Sequence, residues 1–282
     1  MKILVPSDFS QSSNNAALYA AKFAKKVNAE LILFHVVYFE HPPMVQVSGL
    51  TEDKIEEARL ADAAQDCLLL INDLNSKVNG VHISSKVVPG FPIADVIEEY
   101  AKSNNIDLIV MGTKGASHLQ KILFGSNAVA VINKSSIPVI TVPEASIFNN
   151  MQLLVYATDM SKIQSEIPKI ISLAKLFDAS INVLHVLPSD SKKTIDVVNI
   201  EHSLIEKSQY KKISFHIAHN DNIIEGINAF ITDVNADMLA MYTHEIGFFE
   251  SFFNTSFSRE EAFHGTIPLL ILKGRLPSKE ID

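Results

Sequence analysis

Cysteine is nearly absent from this 282-residue chain: Cys67 stands alone, which excludes an intrachain disulfide and a thiolate zinc cluster. Tryptophan is missing, and glycine is scarce at ten residues. Basic residues fall short as well, 24 against 32 acidic ones, for a net charge of −8. That sign disfavours nucleic acid and anionic membrane surfaces, so no nucleic-acid partner is expected. No run approaches the ~18 apolar residues that span a bilayer, so no membrane insertion is expected. The opening MKILVPSDFS carries one Lys and a short strand-like run before a polar turn, too short for a signal peptide. A cytoplasmic protein is the expectation.

What is present is an ordinary globular composition, 47% apolar and 20% charged. The chain repeats itself. Ile3-Leu-Val-Pro-Ser-Asp8-Phe-Ser10 returns as Leu154-Val-Tyr-Ala-Thr-Asp159-Met-Ser161, and Leu33-Phe-His35-Val36 as Val183-Leu-His185-Val186. Asp107-Leu-Ile-Val-Met111 returns as Asp237-Met-Leu-Ala-Met241, and Ser136-Ile-Pro138 as Thr266-Ile-Pro268. The copies are 151, 150, 130 and 130 residues apart in turn, so one unit is duplicated and the first copy carries extra length after Val36. Residues 38–60, with their Pro pair, read as that insertion. A polar, periodless stretch at Pro143–Asn150 reads as the linker between domains 1–145 and 146–282.

Short apolar runs at 2–7, 30–37, 82–88, 106–111 and 137–142 alternate with amphipathic stretches at 12–27, 53–76, 92–103 and 125–134. The second copy repeats its strands at 152–158, 180–187, 212–218, 237–242 and 267–272. Continuous apolar strands are buried on both faces, as in parallel sheets, and the alternation predicts an α/β fold of two tandem doubly wound domains.

In such sheets ligands sit beyond the carboxyl ends of the strands, where strand order reverses. In the first copy Pro6-Ser-Asp8 leaves the first strand there. Gly112-Thr-Lys-Gly115 leaves the fourth, followed nine residues later by Gly125-Ser126-Asn127-Ala128 at a helix start. Three of the ten glycines thus fall within residues 112–125. Gly112 and Gly115 allow a sharp turn and close phosphate approach, and Gly125 precedes helix N–H groups that attract anions. Ser126 adds a hydroxyl donor and Lys114 a mobile counter-charge. Asp8 suits a ribose hydroxyl, the base or a metal. Neither G-x-x-x-x-G-K-[ST] nor a post-strand G-x-G-x-x-G is present.

These residues resemble the universal stress protein family, in its tandem two-domain form, over nearly the whole chain. Gly112, Gly115, Gly125 and Ser126 match the family pattern G-x2-G-x9-G-[ST] in full. The resemblance implies ATP as ligand, with Mg2+ left open. It sets Asp8 and Val36 against base and ribose, Met111 on the adenine side, and the Gly112–Gly115 loop and residues 125–128 around the phosphates. It also implies a five-stranded parallel sheet ordered 3-2-1-4-5 in each domain, and units paired through their last strands. Those strands, 137–142 and 267–272, are apolar edges that need cover, so an intrachain pseudo-dimer is expected, with a homodimer through other faces left open.

The second copy departs from the pattern. Tyr242, Glu245 and Thr255 replace the three glycines, while Ser256 and Asp159 remain. A Tyr fills space and a Glu repels phosphate, so one nucleotide per chain is expected.

Other signals read as structural. His216 and His219, three apart on a strand, point to opposite faces and cannot share an ion. His35 and His185 recur as satisfied histidines, Ser10, Ser12 and Ser13 as helix-start residues, and Cys67 as core. Phe248, Phe249, Phe252 and Phe253 form an apolar helical stripe, read first as core and second as a partner surface. The expected function is ATP-binding stress-response regulation, with no catalytic or metal-binding residue assigned. The rivals are a slow ATPase or autophosphorylating enzyme, using Asp8 for a metal and Ser126 or Thr113 as acceptor, and a nucleotide-independent scaffold.

Overall fold

The computed structural model describes residues 1–39, 52–113, 125–243 and 267–274. The chain divides into two compact units, Met1–Ser146 and Ile147–Asp282. The Phe248–Phe253 stripe, Glu245, Thr255 and Ser256 lie outside the described residues.

Unit one runs β1 (Lys2–Pro6), α1 (Gln11–Val27), β2 (Glu30–Val37), α2 (Glu52–Lys77), β3 (Ile83–Pro89), α3 (Ile93–Ser103), β4 (Leu108–Gly112), α4 (Ser126–Lys134) and β5 (Val139–Val142). Its strands lie in the order β3-β2-β1-β4-β5, every neighbouring pair parallel. Ile3, Leu4 and Val5 of β1 are fully buried, which a central strand covered on both faces requires. Helix α1 buries Ala16, Ala17, Ala20, Ala21 and Ala24. That spacing puts a smooth stripe on one face, and the small side chains let the helix lie close to the sheet. Its ends are capped: the Ser10 side chain accepts from Ser13 N at 3.2 Å, and Asn28 closes it in the left-handed region at φ 54°. Glu98 of α3, buried at 7% side-chain exposure, accepts from Lys102 Nζ at 2.9 Å. It also accepts from Ser136 N at 3.1 Å and Ser136 Oγ at 2.8 Å, tying α3 to the approach to β5.

Unit two repeats the plan with β6 (Leu153–Ala157), α5 (Ile163–Phe177), β7 (Ser180–Leu187), α6 (Val197–Ser208), β8 (Ile213–His219), α7 (Ile223–Asp233), β9 (Met238–Thr243) and β10 (Leu269–Lys273). The order is β8-β7-β6-β9-β10, again parallel throughout. The expected tandem of doubly wound units is therefore the fold.

The extra length of the first copy includes helix, since α2 has 26 residues and α6 has 12, while residues 40–51 of the expected loop lie outside the described residues. Cys67 is buried on α2 in line with Ala63, Leu70 and Leu74. His216 and His219 on β8 engage separate partners, Ser214 Oγ at 3.0 Å and the Pro188 carbonyl at 3.4 Å. Among the described residues no helix is long and apolar enough to cross a membrane.

Candidate functional site

In unit one the sheet order reverses between β1 and β4, and a cavity of about 310 Å3 opens at their carboxyl ends. Nine of the expected site residues line it: Pro6, Asp8, Val36, Met111, Gly112, Gly125, Ser126, Asn127 and Ala128. The remaining two, Lys114 and Gly115, lie outside the described residues. The lining also includes Ser7, Phe34, Ile93 and Ile97, which the motifs did not single out, and Ser13 and His35, which read as structural in the sequence.

The turn after β1 presents Asp8. Ser7 N donates to the Phe34 carbonyl at 2.9 Å, anchoring the turn to β2. Phe9 adopts φ 60°, a left-handed conformation that a bulky residue holds only when its surroundings insist. Here Phe9 N donates to Ser7 Oγ at 3.1 Å, and Ser10 N to Asp8 Oδ1 at 3.1 Å. His35 donates its Nδ1 hydrogen to the Ser7 carbonyl at 2.7 Å and stacks on Phe9 at 4.7 Å between ring centres. The expected satisfied histidine is thus the clamp of the turn, with its ring on the cavity wall.

The opposite wall is a helix start. Gly125 is the N-cap of α4 at φ −64°, ψ 153°, and having no side chain it caps none of the helix donors. The first-turn amides of Ser126, Asn127 and Ala128 have no partner within the helix, so this end attracts an anion. Gly125 N itself donates to the Thr113 carbonyl at 2.7 Å, fixing the helix start against the end of β4. Gly112 is glycine for a reason other than the sharp turn expected of it. It ends a strand, and a Cβ there would stand 2.6 Å from Ser12 Oγ and 2.9 Å from the Ser12 carbonyl. Close approach of α1 demands the missing side chain.

Unit two has a cavity of about 350 Å3 at the equivalent place. Asp159, His185, Val186, Ile223, Ile227 and Met241 line it, the same residue types in the same positions as Asp8, His35, Val36, Ile93, Ile97 and Met111. The turn is also rebuilt bond for bond. Met160 takes φ 72°, Met160 N donates to Thr158 Oγ1 at 3.0 Å, and Ser161 N to Asp159 Oδ1 at 2.8 Å. His185 Nδ1 donates to the Thr158 carbonyl at 2.9 Å, and Thr158 N to the Leu184 carbonyl at 2.9 Å.

The far wall differs. Tyr242 stands where unit one has Gly112, and its hydroxyl donates to the Glu166 carbonyl on α5 at 3.0 Å. Tyr156 donates its own hydroxyl to Glu166 Oε2 and packs edge-on against Tyr242 with ring centres 6.1 Å apart. Burial, and then the Glu166 carboxylate, push both phenols well above their ordinary pKa. Helix α5 starts at Ile163 from an N-cap, Lys162, that makes no side-chain cap, whereas α1 is capped by Ser10.

Comparison with known proteins agrees with this architecture. A family model described as the universal stress protein family matches residues 1–143. Over 141 residues the chain is 33% identical to a universal stress protein of Methanocaldococcus jannaschii, covering 50% of this chain and 81% of that one. Over 149 residues it is 30% identical to universal stress protein YxiE of Bacillus subtilis, covering 50% of this chain and 97% of that one. A crystal structure of a universal stress protein from Archaeoglobus fulgidus matches 96% of both chains with a TM-score of 0.72 at 21% identity, a likeness of fold. With its family pattern, its doubly wound units and these relatives, the chain belongs to the universal stress protein family.

Proposed function

We propose that unit one binds one adenine nucleotide, ATP, and that the protein is a nucleotide-responsive regulator in the stress response. The observation that carries this reading is a single cavity with two complementary walls. Apolar Val36 and Met111 and the Asp8 carboxylate suit a base and a ribose, and the uncapped start of α4 suits phosphate. The sequence pattern completed by Gly115, with Lys114 beside it as a counter-charge, supports the same assignment. Binding fits better than efficient catalysis. Asp8 and His35 are both engaged in holding the turn, so neither is poised as a general base. From the sequence alone, we further propose that the apolar last strands of the two units pair within one chain.

Titration calorimetry with ATP should settle near one site per chain. The sharpest variant is Gly125→Asp. The backbone at φ −64° admits any residue, and Asp is a better N-cap than Gly, so the free protein should gain a few tenths of a kcal/mol. The new carboxylate occupies the helix donors and repels phosphate, weakening ATP by about 100-fold, or about 2.7 kcal/mol. ATP affinity retained in a stably folded Gly125→Asp would remove α4 from the site.

A further inference from the structure

Unit two keeps one half of the first unit's site and, at the end of β9, replaces Gly112 with Tyr242. Asp159, His185, Val186 and Met241 reproduce Asp8, His35, Val36 and Met111 in type and position, and the strained turn is held by the same hydrogen bonds. Such repetition at a bulky left-handed residue, Met160, is costly unless the turn must present Asp159 as it does. At the position of Gly112 stands a phenol whose hydroxyl is committed to the Glu166 carbonyl.

We propose that the unit-two cavity is a second ligand site, selective for an unphosphorylated purine nucleoside. This rests on the reading of unit one as an adenine-nucleotide site, because the residues common to both cavities are those assigned there to base and ribose. Val186, Met241, Ile223 and Ile227 form apolar walls that gain from burying a flat, neutral base. Asp159, fixed by Ser161 N, is an acceptor for sugar hydroxyls. Among the described residues a phosphate chain would lie against Tyr242 and beside the carboxyl groups of Glu166 and Asp159, with Lys162 the one cation among the described residues that line the cavity. At about 350 Å3 the cavity has room for a nucleoside.

Two methionines report the two sites separately, since Met111 lines one cavity and Met241 the other. The full chain, labelled with 13C at its seven methionine methyls and assigned by Met111→Leu and Met241→Leu, is titrated with adenosine and with ATP. Adenosine should shift both signals, and ATP the Met111 signal alone. Asp159→Asn should weaken the Met241 response to adenosine about tenfold through the lost charge-assisted bond. Its Met111 response should stay unchanged, and a Met241 signal at the parent's position before ligand is added shows that unit two is folded. A Met241 signal unmoved by adenosine while Met111 responds would overturn the inference and leave the unit-one reading standing. Met241 responding while Met111 ignores both probes would uphold the second site and sink the first. Equal response of Met241 to ATP and adenosine would overturn the exclusion of phosphate. An unaltered response in Asp159→Asn would overturn the role given to that carboxylate.

Discussion

The two units agree at the end of their first strand and part company at the end of their fourth. Phe9 and Met160 share a left-handed backbone that costs about 1–3 kcal/mol. Each is held by a side-chain oxygen two residues back and by a histidine clamp from the next strand. That turn depends on local groups, so it survives alteration elsewhere. The Gly112 position depends on a neighbour. A side chain there is compatible with the fold only if the facing helix start gives way, and in unit two the helix facing Tyr242 begins without the serine cap that secures α1. The half of the cavity proposed above for base and ribose is therefore separable from the half proposed for phosphate. One is built from a turn, the other from a helix-to-strand contact.

The largest effect expected from testing that separation is in Tyr242→Gly, which restores the first unit's residue at the divergent place. It removes a buried ring and its bond to Glu166, at a cost of about 3–5 kcal/mol in urea denaturation. ATP stoichiometry should still stay at one per chain, because Glu245 and Thr255 continue to replace the other glycines. A second ATP bound by this variant would show that Tyr242 alone separates the units.

A middling effect is expected from Glu98→Ala, which removes a carboxylate at a position where unit two carries Asn228. Burial raises the Glu98 pKa, but hydrogen bonds from Lys102 and Ser136 outweigh it and hold the carboxyl below its ordinary value. A carboxyl with a lowered folded pKa stabilises the native state above its unfolded pKa, and that contribution is lost as pH falls through the folded value. At neutral pH the variant should lose about 1–3 kcal/mol. Its melting temperature should converge on that of the parent as the solution is taken below the carboxylate range. A constant gap across that range would show that Glu98 acts through packing alone.

The smallest effect concerns Cys67, whose thiol is pushed up to about 11 by burial and then by the Asp66 charge. Native labelling by a thiol reagent at mildly alkaline pH should be slower than in urea by about 100-fold or more, the loss of thiolate from a rise of about two pH units from 9.0. Because the sole cysteine lies in unit one, its labelling rate reports local opening of that unit. Rapid native labelling would mean that α2 opens readily from its sheet.

Much of the fold is legible in the residues. Ile3-Leu-Val and Leu154-Val-Tyr read as buried strands because nothing polar interrupts them, and the alanine ladder of α1 reads as a helix face by its spacing. Asp8, Gly112 and Gly125 were nameable because glycines and an Asp at strand ends are chemically conspicuous, whereas Val36 and Met111 were named through the family resemblance. Ser7, Ile93 and Ile97 were not, since serine and isoleucine in those contexts resemble any turn and any helix start. His35 was noticed for its recurrence, yet its partner, the Ser7 carbonyl, is 28 residues away in the turn after β1.

By itself the sequence determined the duplication, the strand–helix alternation and the loss of three glycines from the second copy. These follow from local periodicity and from residue identity at repeated positions. Only the tertiary structure decided that the Gly112 position is demanded by Ser12, and that Tyr242 reaches across 76 residues to a carbonyl on α5. It alone showed that unit two still encloses a cavity. Whether a position is open or filled depends on how closely a helix approaches a strand end, and that distance is set by packing among segments remote in the chain.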